Sequence, residues 1–560
     1  MNVVNQFART VERIKNRPAL ISGLGFARQA LSYGELSERI DRATELLRQA
    51  ALRPGDRVLL AVPLSIETYI AMLAVLKAGL VITFVDPAHG AQTLARCLRA
   101  HPPTALIATP AIMLLRLLSP ELRRIPLRFT VAGSRGSAIN ICDGNRATTP
   151  QVTERRSLED SALLTFTSGS SGEPKAVVRT HGFLRNQFAI LTPVAELKPD
   201  DIDLVAMPMF VLFNLAAGIT SVIPACDMKH PAQARPKVLV AQLIQERATR
   251  MVASPALFDR IASYCSRTRT SLPEIRCFST GGGPVGPALP GRLRAIAPGA
   301  RIRLVYGSTE AEPIACIDDE SVSVSDLAQM REGAGLLVGR PVAGCDVRII
   351  ENRQCARSGP WTVQTFSALR LAAGQTGEIV VSGKHVLQGY ADPWRNRDSK
   401  IDVDGTLWHR TGDAGYFDAL GRLWLVGRCD AAIHDARGEL YPFQVEYAVS
   451  AVQGIRRAAL IALNGKRLLV IEASTRRFEA DCLRMARCIA AQEIDRIIAV
   501  NRIPMDRRHG AKVDYPALRR RLQRDHSRIG IAMINVAAQI YRTVQGWLKT
   551  IRAMAACGRS

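Results

Sequence analysis

The 560-residue chain is short of cysteines, aromatics and above all lysines. Its 12 cysteines form no C-x-x-C pair, and the nearest two, Cys482 and Cys488, stand six apart. Zinc-ribbon and disulfide-framework spacings are thereby excluded, and free thiols in a reducing, cytoplasmic setting are expected. Aromatics make up 5%, and only 11 of the 74 basic residues are lysines; the 63 arginines are scattered through every segment. Nucleic-acid surfaces concentrate basic residues on one stripe with aromatics interleaved, so no nucleic-acid partner is expected despite a formal charge of +24. No uninterrupted apolar run reaches the roughly 18 residues of a membrane span. The most apolar stretch, 58–85, is broken by Glu67 and Lys77, and reads as strand, helix and strand of a core. The first 20 residues hold Glu12 and no apolar h-region, which argues against a signal peptide. Repeats and low-complexity segments are missing as well.

What is present is an ordinary globular composition, 47% hydrophobic and 22% charged, in a chain long enough for two or three folding units. Short β-rich runs alternate with helical patterns: RVLLAVP, LVITFVD, ALIAT, IDLVAMP, RMVAS, IRCFST and IRLVYG each adjoin an amphipathic stretch. Strands alternating with helices predict α/β layers with mostly parallel sheets. From about Gly374 the texture turns to short alternating runs rich in Gly, Trp and Tyr, which predicts a small antiparallel barrel or sheet. After Arg428 a helix (FQVEYAVSAV), two strands (RRAALIAL, KRLLVIEAS) and a helix (EADCLRMARCIAA) predict a compact α+β unit of roughly 100 residues.

The last 34 residues, 527–560, contain no Asp or Glu. Met533, Val536, Ile540, Val544, Trp547, Ile551 and Met554 recur at three- and four-residue steps beside Arg542, Lys549 and Arg552. That pattern predicts a basic amphipathic helix, suited to peripheral membrane contact or to packing on the parent protein.

The strongest chemical signal is LLTFTSGSSGEPKAVV, where an apolar strand runs into Thr167, Ser168, Gly169, Ser170, Ser171 and Gly172, closed by Pro174 and Lys175. Glycines let backbone N–H groups turn toward a ligand, hydroxyls add donors, and one of the few lysines supplies charge. This is the chemistry of a loop that wraps a polyphosphate. It is no Walker A loop, since Lys175 follows Gly172 by three. A second cluster, Tyr306-Gly307-Ser308-Thr309-Glu310, ends the run IRLVYG, where ligands of α/β sheets bind. In a third, Thr411-Gly412-Asp413 precedes Gly427-Arg428-Cys429-Asp430 across a hairpin. A lone TGD is usually a turn, but an acid and an arginine so placed could chelate ribose hydroxyls.

In this order the pieces strongly resemble the AMP-forming adenylating ligases: acyl-CoA synthetases, peptide-synthetase adenylation domains and luciferases. The resemblance spans about residues 10–525 and includes RHGAKVDYPALR, similar to the family's segment with a mobile catalytic lysine. It implies a large N-terminal domain, 1–428, of two stacked α/β subdomains plus a small β-barrel. A small mobile α+β domain, 429–526, would follow, then the tail 527–560. Thr167, Ser168, Gly169, Ser170, Ser171, Gly172 and Lys175 would hold the β- and γ-phosphates of ATP. Gly281, Gly282 and Gly283 would lie along the adenine and the acyl group. Tyr306 would stack on adenine, Thr309 would touch the α-phosphate, Glu310 would hold Mg²⁺, and Asp413 and Arg428 would bind ribose. Lys512 would bridge the substrate carboxylate and the α-phosphate, and Asp430 would be the hinge.

A narrower likeness concerns the olefin-pathway β-lactone synthetases and related fatty acid CoA ligases. FVDPAHG (84–90), MPMFVLFNLAAGITSVIP (207–224) and GAGLLVGRPVAGCDVRI (333–349) resemble that branch. His434 after the hinge and Ala511 between Gly510 and Lys512 depart from the common pattern in the same direction. The expected activity is ATP-dependent adenylation of a hydrophobic, fatty carboxylic acid, followed by transfer to CoA or an acyl carrier protein. The alternatives are β-lactone closure of a 3-hydroxyacyl-adenylate and a non-catalytic adenylate-binding or membrane-recruited role. An apolar acyl pocket is expected around Phe210, Phe213 and Ala217.

Overall fold

A computed structural model describes residues 2–86, 90–131, 139–142, 149–168, 174–228, 233–351, 361–452, 454–473, 494–505 and 513–528. Side chains are described for the same residues except 167, 168, 174 and 524–528. Packing divides the chain into two units, Met1–Val513 and Asp514–Ser560.

The stretch 58–85 folds as its apolar run predicts. Strand Arg57–Ala61 leads through helix Ile66–Lys77 to strand Val81–Phe84, and the two strands pair in parallel. The helix is apolar on every side because it is buried on every side, from Ile66 to Lys77 with Glu67 the one exception. Lys77 is tolerated there because its ammonium pairs with Asp41, itself buried. Among the described residues these strands belong to a seven-stranded sheet that is parallel until its edge. There Ser161–Ser168 and Pro174–Thr180 form an antiparallel hairpin.

A second sheet is parallel through its middle and antiparallel toward both ends, one edge being the antiparallel pair Pro18–Ser22 and Gln29–Ser32 beside Thr220–Val222. Thr220–Val222, Ile202–Val205, Arg250–Ala253, Cys277–Gly281 and Arg301–Ser308 lie side by side in parallel, with helices between them in sequence. At Arg301–Ser308 the direction changes, because the chain turns straight back into Ala311–Asp318. From there Leu336–Pro341, Leu423–Arg428, Thr406–Phe417, Gly377–Ser382 and Asp346–Ile350 continue antiparallel. This is the small Gly- and Trp-rich β unit expected beyond Gly374, and it extends back to Leu336. Its core holds Trp424, whose ring stacks on Tyr416 at 6.0 Å and 8° and whose Nε1 donates to Asp418 at 3.0 Å.

Beyond Arg428, helix Pro442–Ser450 packs on a sheet of Ile455–Leu463, Lys466–Ala473 and Arg496–Val500. Val445, Val449, Ile455, Leu460, Leu469 and Ile471 give that α+β layer an apolar core of its own. The helix expected at EADCLRMARCIAA lies outside the described residues. In the second unit, helix Tyr515–Arg528 starts where the Asp514 carboxylate accepts from the Ala517 backbone N–H at 2.9 Å, an N-cap. Of the tail 527–560 expected to form an amphipathic helix, Ser527 and Arg528 end this helix and 529–560 lie outside the described residues. No helix among the described residues is long and apolar enough to cross a membrane.

Candidate active site

The first motif sits on the edge hairpin. Thr167 pairs with Lys175 and Ser168 with Pro174, so the Gly/Ser run joins two antiparallel strands. Gly169, Ser170, Ser171 and Gly172 lie outside the described residues, as do the side chains of Thr167 and Ser168. Lys175 is half-buried, and its Nζ stands 5.2 Å from the centre of the Tyr390 ring. That ring is positioned by a bridge from Val177 to Tyr390 and by the Ala391 N–H donating to Ala176 O at 2.9 Å.

Tyr390 connects this hairpin to the second motif. Its hydroxyl donates to Glu310 Oε1 at 2.8 Å, in the turn between Arg301–Ser308 and Ala311–Asp318. Thr309, beside it, has its carbonyl oxygen held by Arg179 Nη2 at 3.2 Å. The Glu310 carbonyl accepts from the Leu387 N–H at 2.7 Å, and the Leu387 carbonyl in turn accepts from the Lys400 ammonium. Lys400 is paired across the strands with His409, a buried ring whose Nδ1 is 3.0 Å from Ser399 O. Burial pushes the Glu310 carboxyl up, but the Tyr390 hydroxyl, its own backbone N–H and Lys175 outweigh it and hold it below its ordinary value. Burial takes His409 down to about 3, so the ring is neutral at neutral pH.

Lys400 is the oddest group in the cluster. Burial, opposed in part by the Glu310 carboxylate, lowers it to about 7. Unfolded, it would titrate near its ordinary value of about 10.4. Between those values the unfolded chain binds the extra proton, so the contribution of Lys400 to stability rises with pH in that window and is flat below it. Thermal melts of the wild type relative to Lys400→Met are therefore expected to improve steadily from pH 7 to pH 9. A difference that stays constant with pH would mean the ammonium is not desolvated.

The third motif is built across two strands. Asp413 and Arg428 are direct partners, with Arg428 Nη1 donating to Asp413 Oδ1 at 3.0 Å and to Thr411 O at 3.1 Å. Tyr306 donates its hydroxyl to Asp413 Oδ2 at 2.8 Å. Burial and the Asp413 charge push that hydroxyl well up, so it stays protonated. The TGD triplet is not a turn at all. It lies inside the 12-residue strand Thr406–Phe417, as a bulge in which four steps of this strand oppose two of its neighbour. Gly412 has φ +69°, and a Cβ there would stand 2.7 Å from Arg428 Nη2.

Gly281, Gly282 and Gly283 close strand Cys277–Gly281 beside this group. A Cβ on Gly281 would meet Val305 O at 2.5 Å, and Gly282 has φ +75°. Next to them a small cavity of about 40 Å³ is lined by Gly281, Val305, Met207, Phe210, Phe213 and Glu312, among others. Phe210 and Phe213, expected around an acyl pocket, both line this cavity, and Ala217 is not part of its lining. Asp430, the expected hinge, is in the short turn Cys429–Ala431, with Oδ1 3.7 Å from Arg428 Nε. Lys512 lies outside the described residues.

The structure therefore gathers Lys175, Thr309 and Glu310 through the Arg179 and Tyr390 contacts, and Tyr306, Asp413 and Arg428 through direct hydrogen bonds. Tyr390, Lys400, His409 and Arg179 were missed by sequence reasoning; the rarity of lysine was a signal that could have marked Lys400. No cluster of three or more His, Cys, Asp or Glu suited to a metal occurs among the described residues. A single carboxylate held ionised at Glu310 suits Mg²⁺, which commonly binds one or two carboxylates together with substrate phosphates.

Known proteins share this architecture. The amide bond synthetase McbA from Marinactinospora thermotolerans superposes with a TM-score of 0.76 at 20% identity, covering 93% of this chain and 99% of that one; at that identity the likeness is one of fold. In sequence, the chain is 34% identical over 447 residues to an olefin beta-lactone synthetase of Xanthomonas campestris pv. campestris, covering 77% of this chain and 78% of that protein. To a protein of the same name from Stenotrophomonas maltophilia it is 31% identical over 540 residues, 91% of this chain and 96% of the other. The model of the AMP-binding enzyme family matches residues 7–391. With the edge hairpin and Glu310 inside that span and both relatives above 30% identity, the chain belongs to the AMP-binding enzymes and is an adenylate-forming ligase.

Proposed function

We propose that this enzyme activates a hydrophobic, fatty carboxylic acid as its acyl-adenylate and passes the acyl group to a thiol, of CoA or of an acyl carrier protein. The observation that carries the acid half is the cavity walled by Leu191, Phe210, Phe213 and Val305, whose rim residue Gly281 adjoins the Tyr306–Asp413 pair. Apolar walls of this kind favour a hydrocarbon tail over acetate.

In this reading the Gly/Ser hairpin from Thr167 to Gly172, with Lys175, holds the β- and γ-phosphates. Asp413 and Arg428 hold the ribose, and Tyr306, fixed through its hydroxyl, presents its ring to the base. Thr309 approaches the α-phosphate. Mg²⁺ held by Glu310 would supply positive charge against the triphosphate. A carboxylate is a poor nucleophile toward an anionic phosphate, and Lys512 is the residue proposed to bring the two together. The carboxylate oxygen attacks the α-phosphorus, and pyrophosphate leaves in line. The resulting mixed anhydride carries AMP as a good leaving group. Rotation of 429–526 about Asp430 would then exchange the lysine segment for an acceptor site. The 527–560 tail would add peripheral membrane contact.

A second reading, favoured by the two relatives named olefin beta-lactone synthetase, ends differently. The hydroxyl of a 3-hydroxyacyl-adenylate attacks its own carbonyl, AMP leaves, and a β-lactone forms without any thiol; proximity makes such a step fast. Mass analysis of products from plain and 3-hydroxy acids, with and without CoA, separates the two. A CoA-dependent thioester is the outcome expected for thiol transfer, and loss of water from a 3-hydroxy acid without thiol is the outcome of lactone closure.

A further inference from the structure

The cavity has apolar walls but an ionic floor. Asp203, Asn214, Arg250 and Arg303 all line it, and all are buried. Two of the four are satisfied. Arg303 is bound by Asp318 at 2.7 Å and Glu196 at 2.8 Å, and donates to Val194 O. Asn214 donates to Asp203 Oδ2 at 2.9 Å and to Ser221 Oγ at 3.2 Å.

The other two each keep a polar atom unpaired. Asp203 is 1% exposed and Arg250 6% exposed, yet Asp203 Oδ1 and Arg250 Nε have no hydrogen-bond partner. The rest of the guanidinium is engaged, with Nη2 donating to Ala195 O at 2.8 Å and Nη1 3.7 Å from Asp201. Asp203 and Arg250 are direct partners on adjacent parallel strands, so their side chains leave the sheet side by side on one face. Native interiors seldom leave a buried acceptor and a buried donor unpaired together, and such a pair calls for an explanation.

Their position says what could pair with them. Arg250 lies opposite Cys277, four residues before the rim residue Gly281, which is about 13 Å along a strand at ~3.3 Å per residue. The floor is thus at the end of the cavity remote from the adenylate. A hydrocarbon terminus would leave both atoms unpaired, a second carboxylate would face Asp203, and an ammonium would face Arg250. A hydroxyl is the smallest group that pairs with both, accepting from Arg250 Nε while sharing a hydrogen with Asp203 Oδ1. Burial pushes the Asp203 carboxyl up against the pull of Arg250, and a hydroxyl pairs with either protonation state.

We infer that the acid substrate carries a hydroxyl on its distal, non-reacting end, and that Asp203 and Arg250 are the residues that read it. This inference rests on the cavity being the acid-binding site, and it concerns a different group from a 3-hydroxyl, which sits beside the carboxylate. The competing occupant is a fixed water molecule.

The test is acid-dependent pyrophosphate release by the full-length wild type with a homologous series of ω-hydroxy acids, each against the unsubstituted acid of equal length. The expected result is a preference for the hydroxy acid in kcat/KM of about tenfold to a hundredfold at one matching length, arising in KM. Asp203→Leu, checked for folding by its melting curve, is expected to erase that preference. If unsubstituted acids are turned over and the hydroxy acids do no better at any length, the floor holds water and the inference is overturned, whatever the variant does. If no acid of either series releases pyrophosphate, the adenylation reading falls first and the inference with it.

Discussion

Replacing Lys512 by Ala is expected to lower acid-dependent pyrophosphate release by at least 10²- to 10³-fold, while turnover of a supplied acyl-adenylate persists. Adenylation brings two anions together, a carboxylate and the α-phosphate, and negative charge grows on the phosphate oxygens as pyrophosphate departs. One donor aimed at such developing charge is commonly worth about 10²- to 10³-fold. The sequence offers few candidates for that donor. Lysines number 11 in the whole chain, and 512 is the one in the RHGAK segment that resembles the family's mobile lysine. The second half-reaction displaces AMP and has no need of a cation between carboxylate and phosphate. Stopped assays that start from acid plus ATP, and separately from synthetic acyl-adenylate, read the two halves. Survival of both in Lys512→Ala would show that the lysine was misassigned.

Glu310→Gln is expected to cut adenylation about 10²-fold and to raise the Mg²⁺ concentration needed for half-maximal rate. The substitution changes charge more than shape: glutamine still accepts from Tyr390 at the position Oε1 occupies now, 2.8 Å from the hydroxyl. The lost quantity is the anion that Tyr390 and Lys175 keep ionised inside a largely enclosed site. Tyr390→Phe is a useful companion, since it removes one hydrogen bond and leaves the charge. An unchanged Mg²⁺ dependence in Glu310→Gln would remove this residue from the metal's neighbourhood.

Much of the fold was legible because burial leaves a mark on composition. The run 58–85 could be divided into strand, helix and strand because a helix enclosed by its neighbours has no polar face to keep. The parallel strands before Tyr306 were readable by the same rule, each a short apolar run next to a helix. The TGD triplet was harder. Gly and Asp in a row ordinarily mark a turn, and only the bulge, with Gly412 in a left-handed conformation against Arg428, shows why a strand needs them. Glu310 and Asp413 were weak signals on their own and were placed by the order of the motifs, which resembles that of the adenylating ligases. Tyr390 and His409 belong to no motif of this kind, and Lys400 had only the scarcity of lysine to mark it. Lys400 and His409 pair close in sequence on neighbouring strands, but Tyr390 meets Glu310 across 80 residues and is seated by its bridge to Val177, contacts that no short window of sequence contains. The polar floor was hidden for a similar reason: Asp203 and Arg250 are 47 residues apart and meet only through strand register.

The central claim is that one nucleotide spans the Gly/Ser hairpin, Glu310 and the Asp413–Arg428 pair while a carboxylic acid is activated beside it. Incubating the purified full-length protein with ATP, Mg²⁺ and a broad panel of hydrophobic acids, and quantifying AMP, tests this most directly. AMP and pyrophosphate are expected in equal amounts, only when a suitable acid is present. ADP in place of AMP, or no acid-dependent nucleotide cleavage with any member of the panel, would contradict it.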